Sequence, residues 1–276
     1  MAARRSIGLC VPNNQPGGAD TLDVLPIRAE EWGYESVWLT DHVVGVRAMA
    51  GVYGAYWLEP LIAMTWVAAR TSTIRLGTGV LVLPMRDAVL TAKMVATIDV
   101  FSGGRVDLGI GTGWSRVEFR AVGMAERYEP RGKVTNEAIE VFRECWKGGE
   151  VEYHGDYFDF RHIEFEPIPV QRPLPIWVGG NVGPALRRAA KYADVWHPHD
   201  ISLEEMTTAS ARIDELAGRH VPTSMRLALE EKDLDGLADR VDSYLDAGCL
   251  TVVLDFRSIE AGEISGLAER AATQLL

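Results

Sequence analysis

The sequence predicts an α/β protein built as a single (β/α)8 TIM barrel spanning residues 1–276. Three observations carry that prediction. Short β-branched or apolar runs alternate with longer amphipathic stretches along the whole chain, the signature of repeated βα units around a parallel sheet. Eight runs of each kind are found, which close a barrel more readily than they fill an open sheet. A length of 276 residues suits one large barrel, which needs about 250.

The strand-like runs fall at residues 6–11, 36–40, 74–82, 106–110, 176–179, 194–196, 225–229 and 250–255. Runs three, four and eight (IRLGTGVLV, VDLGI, LTVVLD) are almost wholly apolar, as strands covered on both faces should be. Helical patterns lie between them at 22–32, 58–70, 88–101, 134–146, 184–192, 203–217, 234–247 and 260–276. Gly33 and Gly248 follow the first and seventh helices, and Gly183-Pro184 opens the fifth, as helix punctuation requires. One stretch, 148–175, breaks the alternation. Its first half, KGGEVEYHGDYFDF, reads as a small hairpin inserted before the fifth strand, and its proline-rich second half as an extended connection.

Composition narrows the function. A net charge of −11 disfavours nucleic acid and anionic membrane surfaces, which attract concentrated Lys and Arg, and leaves a small-molecule partner as the natural expectation. Cys10, Cys145 and Cys249 are odd in number and far apart, so neither a disulfide framework nor a cysteine metal site is expected and a reducing cytoplasm fits. No segment has the roughly 20 apolar residues that span a bilayer.

In a parallel barrel, chemistry gathers where strands end and βα loops begin. The second strand ends in WLTDHVV, placing Asp41 and His42 at the mouth, with Tyr53, Tyr56 and Trp57 in the loop behind. A histidine there can bond a ring and exchange a proton near neutral pH, with the neighbouring carboxylate setting its tautomer. Alone, the dipeptide reads equally as a loop cap beside a surface histidine. Gly77 and Gly79 inside the third strand indicate a bulge, an unusual peptide or close approach by a planar ligand. After the fourth strand, Gly109, Gly111, Thr112 and Gly113 resemble a nucleotide loop, but Trp114 stands where the dinucleotide fingerprint needs its third glycine. Ser115, Arg116 and Glu118 follow towards the mouth. The fifth strand leads through Val178, Gly179, Gly180, Asn181 and Gly183 into a helix, so free backbone N–H groups there suit a phosphate, with Arg187 and Arg188 adding charge. The sixth strand end carries Trp196, His197 and His199, the eighth Asp255. No clustered carboxylate or cysteine accompanies the two histidines, so no metal site is expected.

Taken together, WLTDH, RLGTGVLVLP, SGGRVDLGIGTGW with its following Glu118-Phe119, and PIWVGGNVGPALRRAAKYADVWHP resemble the luciferase-like monooxygenase superfamily over nearly the whole chain. Within it the pattern is similar to the branch that uses the deazaflavin coenzyme F420, in which an Asp-His pair closes the second strand. The resemblance implies that His42 lies near the deazaflavin ring and Asp41 near its polar edge. It implies that Thr78 and Gly79 form a bulge backing the ring, often with a non-proline cis peptide, and that Gly179, Gly180 and Asn181 form the phosphate loop. Two positions depart from the branch's sugar and alcohol dehydrogenases. Trp114 stands where these place an acid after the fourth strand, and Asn13 where some place one after the first.

The resulting expectation is an oxidoreductase that passes a hydride between F420 and a small organic substrate. Asp41, His42 and Trp114 are the catalytic candidates. The cofactor contacts expected are Asp41, His42, Thr78, Gly79, Gly111, Thr112, Gly113, Val178, Gly179, Gly180, Asn181 and Gly183. Asn13, Tyr56, Trp57, Trp196, His197 and Asp255 are expected to line the substrate pocket. Alternatives are an FMN-dependent monooxygenase served by a separate reductase, a flavin-binding barrel without turnover, and a metal-assisted hydrolase. A homodimer is the expected assembly.

Overall fold

A parallel sheet closed on itself organises the chain, and the computed structural model describes residues 5–47, 54–256 and 259–276. Strand β1 (Ile7–Cys10) pairs with β2 (Ser36–Leu39) on one side and with β11 (Cys249–Phe256) on the other. Continuing round, β10 (Thr223–Leu229), β9 (Val195–His197), β8 (Ile176–Gly179) and β5 (Val106–Gly111) follow, all parallel. β3 (Arg75–Thr78) pairs with both β2 and β5, which closes the cylinder, while β4 (Leu81–Val82) extends the same barrel position against the end of β5. The third predicted strand is thus two short pieces, interrupted at Gly79-Val80, whose peptide bond is cis.

Helices α1 (Gly18–Trp32), α2 (Pro60–Arg70) and α3 (Ala88–Ser102) follow the first three barrel strands. A short α4 (Arg116–Ala121) and α5 (Arg131–Cys145) follow the fourth. α6 (Gly183–Tyr192), α7 (Leu203–Ala217), α8 (Leu237–Asp246) and α9 (Ala261–Leu275) complete the ring. The predicted insertion is an antiparallel ribbon of β6 (Gly149–His154) and β7 (Asp159–Phe165). Among the α-helices of the described residues, α4 was the one not foreseen, because six residues hold too little periodicity to register. No helix among the described residues is long and apolar enough to cross a membrane.

Most of the core lies between strands and helices, where Val37, Leu39, Leu108, Ile110 and Val178 turn outwards. The barrel interior is filled differently. Trp38 is wholly buried, packs 4.8 Å from Trp177 and stacks on His197 at 4.7 Å with rings 16° apart. Its indole occupies the space that side chains on neighbouring strands would need. A Cβ on Gly77 would sit 2.3 Å from the indole carbons, and one on Gly8 2.7 Å from Nε1. Of the three alternatives for the third-strand glycines, Gly79 carries the unusual peptide, while Gly77 accommodates a planar group belonging to the protein itself.

At the N-terminal end of the cylinder Arg75 donates through Nε to Asp107 Oδ2 at 2.8 Å, beside a cavity of about 230 Å³ lined also by Glu35, Ser36 and Trp177. Arg105 at the foot of β5 donates to the carbonyls of Ala68, Thr71 and Ile74, capping the C-terminal end of α2. The βα loops, where chemistry gathers in a parallel barrel, lie at the opposite end, where the strands finish.

Candidate functional site

At that end the floor is apolar. Val80 turns its side chain over the barrel axis, since a Cβ on Gly111 would lie 2.5 Å from one of its methyl carbons and one on Gly179 2.7 Å from the other. Glycines on β5 and β8 make room for that valine, which remains half-buried. Thr78 is fully buried and donates through Oγ1 to the Gly109 carbonyl at 2.7 Å, stitching β3 to β5 beneath the floor.

His42 forms one wall. Its ring lies 4.5 Å from Trp57 and 5.8 Å from Trp114, with Nδ1 2.8 Å from Glu118 Oε2. Glu118 is 1% exposed, and its second oxygen accepts from the Val43 N–H at 3.0 Å. Burial works against the Glu118 charge, but His42 and the Val43 and Val44 amides outweigh it and hold the carboxyl below its ordinary range. α4 delivers this residue. Ser115 caps the helix, and Phe119, fully buried against Val82 and Met85, pins it to the rim.

A different rim lies across β8. Gly180 adopts φ +105°, the left-handed region that favours glycine, and carries the chain into α6. The N-cap of α6, Val182, offers no side-chain hydrogen bond, and Gly183 and Pro184 are exposed in its first turn. Arg187 Nη1 would stand 3.6 Å from a Cβ on Gly183, so a guanidinium hangs over the same helix end. Asn181 exchanges hydrogen bonds with the backbone of His199, fixing the loop. An exposed helix start with an arginine above it receives anions. Arg188 takes no part: it is buried on Asn136 and the Gly132 carbonyl.

A sequence profile of luciferase-like monooxygenases matches residues 16–230. The chain belongs to the luciferase-like monooxygenase family. An uncharacterised protein of Mycobacterium tuberculosis is 33% identical over 245 residues, covering 83% of this chain and 82% of that protein. The F420-dependent glucose-6-phosphate dehydrogenase of Amycolatopsis mediterranei is 34% identical over 192 residues, covering 68% of this chain but 54% of the dehydrogenase. Among solved structures, an F420-dependent secondary alcohol dehydrogenase in complex with an F420-acetone adduct superposes with a TM-score of 0.80 at 17% identity, covering 99% of this chain and all of that one.

This luciferase-like chain places its expected site residues unevenly. His42, Trp57 and Trp114 pack together in the loops after β2 and β5, Gly79, Gly111 and Gly179 stand at the C-terminal ends of the third barrel strand, β5 and β8, Thr112, Gly113, Gly180, Asn181 and Gly183 follow those ends, and Tyr56 is in the same loop as Trp57. Tyr53 lies outside the described residues. Val178 points outwards into the strand–helix layer, so only its backbone faces the loop.

Asp41, Asn13 and Trp196 are corrected. Asp41 is not presented to the mouth. Its side chain is fully buried, Oδ1 pairs with Arg86 at 2.8 Å and Oδ2 accepts from the Val82 N–H at 2.8 Å. Arg86 also reaches Glu59, so Asp41 ties β2, β4 and the start of α2 together. Asn13 is a backbone clip, donating to the Thr40 and Leu58 carbonyls and accepting from Thr40. Trp196 is wholly buried in the strand–helix layer and donates to the Gly180 carbonyl at 3.0 Å, supporting the loop from behind. Asp255 stays at the end of β11 beside the mouth, paired with Arg226, whose Nε and Nη2 lie 3.0 and 2.7 Å from Oδ2.

His197, one residue on from Trp196, takes the inward position, since alternate residues of a strand face opposite sides. Its Nδ1 meets Ser224 Oγ at 2.7 Å; because that hydroxyl also donates to the Trp196 carbonyl, Nδ1 carries the proton. Nε2 is buried without a hydrogen-bond partner among the described residues. Burial, reinforced by the Arg226 charge and by His199, pushes the imidazole down to about 3. An unfolded chain binds this proton near the usual value of about 6.5, so between those limits the unfolded state holds more protons and stability falls as pH falls. Urea midpoints are expected to drop by the equivalent of ~2 kcal/mol by pH about 4.5, and a His197→Gln variant should lose most of that dependence.

Arg226 and Val80 are the mouth's less legible members, and the partner of Glu118 is a third feature the sequence does not show. Arg226 donates to the Gly79 carbonyl from inside the barrel, a half-buried cation in the run MRLAL, which otherwise reads as apolar. Glu118 sits three residues after Ser115, the spacing of a helix capping box. Such a box does form at Ser202 and Glu205, whereas the Glu118 carboxylate goes to His42 and Val43 instead.

Proposed function

We propose that this luciferase-like protein is an F420-dependent oxidoreductase acting on a small organic substrate at the C-terminal mouth of its barrel. One observation carries the reading: an apolar floor, an anion-receptive helix start and a histidine wall share a single rim. A flat ring with a phosphorylated tail needs those three surfaces together, and the glycines at 79, 111 and 179 keep the floor free of side chains that would lift it. The identity to an F420-dependent dehydrogenase supports F420 over FMN, which the same surfaces would also accept.

Gly179, Gly180, Asn181 and Gly183 would hold the phosphate, with Arg187 adding charge, and Val80 would support the ring. When bound, the deazaflavin supplies a two-electron hydride donor or acceptor. His42 holds or releases the accompanying proton, and Trp57 and Trp114 flank it and exclude water. Glu118 is committed to His42 and Asp41 to Arg86, so neither carboxylate is placed to serve a second substrate proton. Ile62, Trp66, Leu90 and Phe101 form exposed apolar positions on α2 and α3 that suit the expected homodimer.

Fluorescence titration with F420 and with FMN tests the reading. F420 is expected to bind at least tenfold more tightly; preferential FMN binding together with oxygen-dependent product formation would replace it with the monooxygenase reading. Gly183→Asp places a carboxylate at the helix start beside Arg187. F420 affinity should fall about tenfold or more, about 1.4 kcal/mol, with thermal stability retained, as isothermal titration and thermal melts would show.

A further inference from the structure

We propose that Glu118 is a positioning residue that locks His42 with its proton on Nδ1, making Nε2 the nitrogen that exchanges a proton at the mouth. This deepens the oxidoreductase reading and rests on it for the role of His42, although the lock itself does not require any cofactor.

The geometry is specific. An ionised carboxylate only accepts, so at 2.8 Å from Glu118 Oε2 the Nδ1 atom must be the donor. Neutral imidazole in water favours the opposite tautomer. The other Glu118 oxygen is held by the Val43 N–H, so the carboxylate cannot swing away without releasing the first loop residue after His42. Its side chain is 2% exposed and that of His42 16% exposed, which limits competition from water. Phe119 buries the adjacent position of α4 and Ser115 caps its start, so the helix carrying Glu118 is fixed at both sides. Trp57 and Trp114 pack beside the ring, with centroids at 4.5 and 5.8 Å. A Glu118 that served only the helix would turn back to its own N-cap, as Glu205 does.

The test reads the His42 imidazole nitrogens by 15N NMR in the cofactor-free protein at pH about 8, where an ordinary histidine is neutral. Assignment uses the spectrum of His42→Gln. Wild-type protein is expected to show a protonated Nδ1. Glu118→Gln, whose amide oxygen still accepts, should keep that pattern, and Glu118→Ala should revert to a protonated Nε2. A wild-type spectrum with the proton on Nε2 would overturn the proposal, even if neither variant folds. So would a folded Glu118→Ala protein that keeps the proton on Nδ1. With F420 present, Glu118→Ala should lower kcat by tenfold or more while leaving the F420 Kd within threefold, and Glu118→Gln should recover part of the loss. Failure of F420 to bind wild-type protein would sink the functional reading and leave the tautomer result standing, so the two failures are distinguishable.

Discussion

Gly109→Ala should yield little or no folded protein. A Cβ at this position would stand 1.8 Å from the Thr78 carbonyl oxygen, a backbone atom that cannot rotate aside. The same two residues are joined by the Thr78 hydroxyl, which donates to the Gly109 carbonyl, so the strands cannot separate locally without breaking that bond. Overpacking a core usually costs about 1–3 kcal/mol when side chains can adjust. With backbone on the other side the cost should exceed about 4 kcal/mol, in the range where a single change removes most of a protein's stability. Soluble yield and thermal melts report this directly. Gly262→Ala is the matched control: it lies near the start of α9 with nothing within 4 Å of its added carbon, and should be neutral or slightly stabilising. A Gly109→Ala protein as stable as wild type would mean that β3 and β5 are not packed as described.

His42→Ala addresses the chemistry. The ring is the proton-exchanging group that the mouth places between two indoles, while the floor and the phosphate-receptive loop are built from other strands. F420 binding should therefore stay within about threefold of wild type. Turnover should fall by about 10²–10⁴-fold, the usual contribution of a positioned acid or base. The measurement pairs a binding titration with oxidation of reduced F420 by whichever member of a carbonyl, alkene and quinone panel the wild-type protein accepts. Unchanged turnover would remove His42 from the mechanism. Loss of binding and turnover together would recast it as a cofactor contact.

The barrel was legible because its βα period is written in hydrophobicity, and covered strands such as LTVVLD need no context to be recognised. Much of the mouth followed, since parallel strands deliver all their C-terminal ends to one side. Parity was harder. The sixth strand extends to His197, and closure of the barrel, not local sequence, decides that this residue faces inwards and Trp196 outwards. Asp41 was legible as a strand-end carboxylate, but its partner Arg86 lies 45 positions on, and only the folded chain shows the pair. Glu118 was legible as a residue following the fourth strand towards the mouth, but its partner His42 lies 76 positions back, and only the folded chain shows the pair. Room for a flat group was one of the readings of Gly77, and the group is Trp38, the next-to-last residue of a different strand.

A crystal structure of the protein with bound F420 is the most direct measure of whether one rim grips a phosphorylated redox ring. The ring should rest on Val80 with His42 beside it, and the phosphate should meet the backbone of residues 179–183. Density for F420 on any other face, or a ring in the mouth with its phosphate remote from α6, would contradict the account.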